Sequence, residues 1–133
     1  MEQLEDGLRL IEKGRQFSTL VGSIDLLALD KNNNYVVIEL KKGNSPDKVV
    51  GQISRYIGWV KQNLAKEGQI VRGIIVTREV DLKLAYAVQA FPPETIIIKV
   101  FDIQMSIENH KNDTLDKKVK KTPRKMKKRR FDP

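Results

Sequence analysis

The chain has no cysteine and a single histidine among its 133 residues. The first absence excludes disulfides and thiolate metal sites. The second leaves too few imidazoles for a zinc centre, so any metal would be held by oxygen ligands. No run of about 18 apolar residues occurs, so no membrane partner is expected. The N-terminal stretch "MEQLEDGLRL" is acidic and lacks the basic and apolar regions of a signal peptide. The chain therefore reads as intracellular and cytoplasmic. Its length suits one domain with a modest core, and a hydrophobic fraction of 40% suits a globular one.

Charge of one sign is abundant, but in one place. Residues 111–133 hold 11 Lys or Arg against 3 Asp, a net of +8, whereas residues 1–110 hold 14 basic and 14 acidic side chains. Such a tail has little to bury and is expected to be disordered alone. It is either a solubilising tail or a sequence-blind grip on a polyanion, acting by counterion release. The residues that would contact nucleic acid are Lys117, Lys118, Lys120, Lys121, Arg124, Lys125, Lys127, Lys128, Arg129 and Arg130.

Periodicity predicts a mixed sheet flanked by helices over residues 1–110. Leu4, Leu8 and Ile11 are spaced for a first helix over residues 3–13, with Gly14 as its C-cap. "RQFSTLVGSIDLLALD" predicts a strand bent at Gly22, "KNNN" a turn, and "YVVIELKK" the return strand. Ser45, Pro46 and Asp47 begin a helix whose apolar stripe is Val49, Val50, Ile53, Ile57 and Val60, running to about Lys66. "VRGIIVT" predicts a central strand, "DLKLAYAVQAF" a helix ended by Pro92 and Pro93, and "TIIIKVFDIQMSI" one or two closing strands. The order is α-β-β-β-α-β-α-β, a mixed sheet with helices on it.

Charged residues interrupt the most apolar segments. Asp25 sits among Ile24, Leu26 and Leu27; Glu39 lies between Ile38 and Leu40, with Lys41 next but one and on the same face. Counting from the turn puts Asp25 about ten residues back and Glu39 about five out, so a bend or register offset is expected before they can meet. If they meet, two carboxylates in an apolar setting are tolerable around a hard divalent cation, Mg²⁺ or Mn²⁺, with the Leu40 carbonyl as a further ligand. Lys41 would orient or deprotonate a metal-bound water, which is phosphodiesterase chemistry. The alternative is an Asp at a strand end and a Glu–Lys pair on a solvated face. Gln52 and Tyr56, four apart on the next helix, suit a phosphate, a metal-bound water or a base; Arg55 and Lys42 suit a phosphate.

The ordered set "G-x-I-D", "V-I-E-L-K" and "G-Q-I-x-R-Y" resembles the PD-(D/E)XK nuclease superfamily. More narrowly, it is similar to the RecB-like branch with a Q-x-x-x-Y motif and to the nuclease domain of the NucS/EndoMS endonucleases, from about Gly7 to Ile107. The resemblance implies a restriction-endonuclease-like α/β fold and metal-dependent cleavage of mismatched or branched DNA in repair. Asp25 and Glu39 would hold the metal, Lys41 would position the water, and Gln52 and Tyr56 would complete the site. Several RecB-like nucleases add an acidic residue from the first helix, for which Glu2, Glu5 and Glu12 are candidates. Many relatives read Arg-Glu where this chain has Arg15-Gln16. Family members usually carry an N-terminal DNA-binding and dimerising domain. Here a homodimer, a separate DNA-binding partner or the basic tail is expected to serve instead. Two other readings stay open: a non-catalytic DNA-binding or assembly module, and a junction- or RNA-specific nuclease.

Overall fold

A computed structural model describes residues 1, 3–43, 45–101, 103–107, 119–123 and 127–129. Glu2, Lys117, Lys118, Arg124, Lys125 and Arg130 lie outside them. The elements are β1 (Arg9–Thr19), β2 (Gly22–Leu29), β3 (Tyr35–Leu40), α1 (Pro46–Asn63), β4 (Val71–Thr77), α2 (Leu82–Gln89), β5 (Ile96–Val100), β6 (Ile103–Ile107), β7 (Val119–Pro123) and β8 (Lys127–Arg129). One mixed sheet has the order β1-β2-β3-β4-β5-β8, and β6 pairs with β7 separately. The β1–β2–β3 meander is antiparallel, while β3, β4 and β5 run parallel. Parallel neighbours need crossover connections, and α1 and α2 supply them.

The helix expected over residues 3–13 does not form. Residues 3–7 are turns and a bend, and from Arg9 the chain is strand, pairing Arg9 with Leu29 and Leu10 with Ala28. Leu4 and Leu8 are buried as expected, but by lying under the sheet beside Ala28, Val36, Ile38, Ile74, Val76 and Ile97. The ladder then slips, resuming with Arg15 opposite Leu26. The slack is taken up by a bulge in which Lys13 and Gln16 have φ of 60° and 47°. Gly14 is no helix cap. It sits in this bulge, where a Cβ would come within 2.4 Å of the Leu27 carbonyl oxygen.

The strand expected to bend at Gly22 is instead a hairpin of β1 and β2. β7 and β8 fall in the tail expected to be disordered, while β3 to β5 with their two helices lie where the sequence places them. Ser45 caps α1, its side chain accepting from Lys48 N–H, and Pro46 occupies the first turn. Val49, Val50, Ile53, Ile57 and Val60 face the sheet, and so does Tyr56. They form one core with Ile24, Leu27, Val37, Val71, Ile75, Leu84, Ile96 and Ile98. Asp81 caps α2 by accepting from Leu84 N–H at 2.8 Å. In the basic segment, Lys120 and Lys121 fall on β7 and Lys127, Lys128 and Arg129 on β8, which pairs antiparallel with β5. No helix among the described residues is long and apolar enough to cross a membrane.

At the β2–β3 turn, Arg72 bonds Glu5 and lies 3.3 Å from Asp30. Burial pushes the Asp30 carboxyl up, but the Asn34 and Asn32 N–H groups and Arg72 outweigh it and hold the group below its ordinary value. Arg72→Met removes the cation from both carboxylates, leaving Asp30 only its Asn32 and Asn34 N–H donors, with an expected cost of about 2 kcal/mol. Urea denaturation checks this, and an unchanged midpoint would make the network irrelevant to stability.

Candidate functional site

The turn between β2 and β3 is closed by Asp30 N–H on the Asn34 carbonyl at 2.9 Å. From it the strands run out in step, with Leu29 opposite Tyr35 and Leu26 opposite Ile38. Asp25 and Glu39 are the next pair along. The expected mismatch is therefore absent: each carboxylate stands five residues from the turn, and no offset is needed.

The β2–β3 ladder ends at Leu26–Ile38, and beyond it two carboxylates stitch the strands together. Glu39 Oε2 accepts from Asp25 N–H at 2.8 Å, and Asp25 Oδ2 accepts from Leu40 N–H at 2.9 Å. Each acid thus binds the other strand's backbone. The usual alternation of side chains slips here as well. Leu26 packs with the cluster on one face, whereas Ile24 joins the helix-side core. The side-chain-to-backbone bonds fix both carboxylates in a rigid frame.

Burial sets the electrostatics. Glu39 is 4% exposed, and its carboxyl is pushed up to about 7. Desolvation is the main cause; the Asp25 N–H opposes it, the Asp25 charge adds to it, and Lys42 and Arg55 pull the other way. The ammonium in contact with the pair is that of Lys42, 3.5 Å from Asp25 Oδ1. Lys41, expected to be the cation here, continues the line of β3 with its N–H on the Val76 carbonyl.

From α1, Arg55 and Tyr56 close one side. Arg55 Nε donates to the Val21 carbonyl at 3.3 Å, and its guanidinium carbon lies 5.4 Å from the Tyr56 ring centre. The Tyr56 hydroxyl lies against Gly22, where an added Cβ would be 2.5 Å from it. Gly22 also has φ of 129°. Gln52 is half-buried on α1, one turn before Tyr56. Sequence reasoning missed the β1–β2 turn as a neighbour of α1; Gly22, just ahead of "SID", was its only signal. Gly22→Ala is expected to destabilise by about 1–3 kcal/mol. Adding Tyr56→Phe should recover part of that, because the nearest atom is the hydroxyl; a double-mutant cycle without coupling would refute the contact.

Of the acidic candidates, Glu5 and Glu12 do not reach this end of the sheet, and Glu2 lies outside the described residues. Glu5 is held by Arg72 near Asp30, at the opposite end of β2, and Glu12 is exposed in the β1 bulge. Among the described residues no group of three His, Cys, Asp or Glu could hold a metal. Asp25 and Glu39 alone offer two hard oxygen donors. Their poorly compensated negative charge is what a divalent cation would neutralise, and two carboxylates with retained waters suit Mg²⁺ or Mn²⁺.

Comparison with known proteins gives a consistent picture. A family profile described as the endonuclease NucS C-terminal domain matches residues 1–111. Endonuclease NucS of Methanocaldococcus jannaschii is 34% identical over 74 residues, covering 56% of this chain and 27% of that protein. Endonuclease NucS of Sulfolobus acidocaldarius is 36% identical over 73 residues, covering 55% and 27%. The crystal structure of a repair endonuclease from Pyrococcus abyssi superposes with a TM-score of 0.60 at 27% identity, covering 73% of this chain and 39% of that one. A structure of an EndoMS–dsDNA complex gives 0.57 at 25% identity, covering 67% and 35%. The matched region spans 27% of the length of these curated relatives.

Proposed function

Because this chain belongs to the endonuclease NucS C-terminal domain family, we propose that it is a divalent-metal-dependent DNA endonuclease of the PD-(D/E)XK type, acting in DNA repair. The observation that carries this reading is the Asp25–Glu39 pair, two carboxylates fixed on neighbouring strands by each other's backbone. Asp25, Glu39 and the Leu40 carbonyl would hold Mg²⁺ or Mn²⁺. When bound there, such a cation would supply Lewis acidity for phosphodiester hydrolysis. Lys41, two residues beyond Glu39, would orient the attacking water, although Lys42 is the ammonium that stands beside Asp25 before substrate arrives. Lys42, 60% exposed beside Asp25, meets the incoming phosphate. Gln52, half-buried on α1, would contact the sugar–phosphate backbone, while Tyr56, buried against Gly22 with Arg55 beside its ring, would support that edge of the site. The basic segment adds affinity that carries no sequence information.

A labelled panel of single-stranded, duplex, mismatched, flapped and four-way-junction DNA, with Mg²⁺, Mn²⁺ or EDTA, tests the reading. Metal-dependent cutting is the expected result, and the panel names the preferred substrate. A chain that binds the panel and cuts none of it is a DNA-binding or assembly module instead. With matching RNA substrates added to the panel, cutting confined to RNA would keep the chemistry and change the polymer.

A further inference from the structure

Leu20 is 97% exposed, and Val21 beside it is 39% exposed. Together they form the tip of the β1–β2 hairpin, which is firmly anchored. Thr19 Oγ1 donates to the Gly22 carbonyl at 2.6 Å and accepts from Val21 N–H at 3.0 Å. The Arg55 guanidinium holds the Val21 carbonyl from α1, and the Tyr56 ring packs against Gly22. A single exposed leucine on a floppy loop would need no explanation. Here the leucine is presented by a turn fixed from two elements, one of which also borders the carboxylate pair.

The distance to that pair fits a nucleic acid. Gly22 and Asp25 are three residues apart along β2, about 10 Å at ~3.3 Å per residue. A DNA minor groove is about 7.5 Å deep. The hairpin tip is therefore about one groove depth from a backbone phosphate at Asp25 and Glu39, within reach of the groove beside it. Leucine is among the side chains that proteins insert between base steps, unstacking them and kinking the duplex.

We propose that the Leu20–Val21 tip is a wedge that enters the minor groove next to the phosphate held at Asp25 and Glu39 and opens one base step. The preferred duplexes are then those with a step that unstacks cheaply at that position, such as a pyrimidine–purine TA step. This inference rests on the phosphodiesterase reading of the same site.

The test uses the full chain and a duplex with 2-aminopurine at a TA step, whose fluorescence rises when the base leaves the stack. With the wild-type chain in Ca²⁺ in place of Mg²⁺, to hold the phosphate while suppressing cutting, binding is expected to about double the signal, and Leu20→Ser to abolish the rise. In Mg²⁺, Leu20→Ser is expected to lower the ratio of TA-duplex to single-strand cutting about 10-fold. Val21→Ser should move both readouts the same way, less strongly. Because Leu20 touches almost nothing, its variant should melt with wild type. No fluorescence rise on binding, or an unchanged cutting ratio, overturns the wedge. A fall in sedimenting mass with Leu20→Ser overturns it too, by making the tip a contact between copies of the chain. A wild type that cuts nothing yet raises the fluorescence would sink the nuclease reading and leave the wedge standing.

Discussion

Glu39→Gln is expected to lower single-turnover DNA cutting by about 10³-fold or more in Mg²⁺, without unfolding the chain. The amide oxygen can still accept from Asp25 N–H, so the bond that joins β2 to β3 at this point survives. The amide nitrogen gains a donor facing the Asp25 carboxylate. What disappears is one of two anionic oxygen donors, leaving too little charge to hold a divalent cation at a phosphate. Cutting at the wild-type rate would remove Glu39 from the chemistry. Loss of cutting together with loss of cooperative melting would make the residue structural. The informative result is an inactive chain that melts at least as high as wild type and still binds DNA.

The second large effect is on stability and links proton to metal. The Glu39 carboxyl lies at about 7 in the fold, against 4.5 as its ordinary value, because burial beside Asp25 disfavours the anion. The folded chain therefore binds this proton more tightly than the unfolded chain does. Its contribution to stability is fully present below pH 4.5 and is lost as the pH rises to about 7, with roughly 3 kcal/mol at stake. In EDTA, the Glu39-dependent part of the melting temperature should fall across that window and level off above it. Millimolar Mg²⁺ or Mn²⁺ at pH 8 should restore it, since a cation replaces the proton between the carboxylates. Glu39→Gln should remove both the fall and the metal response. A metal response that survives in Glu39→Gln would place the cation elsewhere.

The sequence was most legible where structure is local. Ser45, Pro46 and the apolar stripe from Val49 to Val60 specify α1 through a cap and a 3.6-residue period, and neither depends on a distant partner. The apolar run from Val71 to Thr77 likewise specifies a strand buried in the middle of the sheet. The absence of cysteine and the concentration of net charge beyond residue 110 needed no structure at all.

Everything that depended on register was decided by the tertiary fold. Leu4, Leu8 and Ile11 have helical spacing, yet pairing of Arg9 with Leu29 and the positive φ at Gly7, Lys13 and Gln16 commit that segment to turns and strand. A weak local preference gives way once a neighbouring strand offers a ladder of hydrogen bonds. The same holds at the site. The residue types of Asp25 and Glu39 can be read from the chain, but their meeting follows from a turn that starts both strands in step. Which lysine touches the pair was also beyond local reading: Lys42, not Lys41, lies at Asp25 once β3 has ended at Leu40. The sequence by itself determined the elements and the chemical groups they carry, because caps and periodicity act over a few residues. Only the tertiary structure decided which groups face each other, because that depends on bulges, turns and packing between segments far apart in the chain.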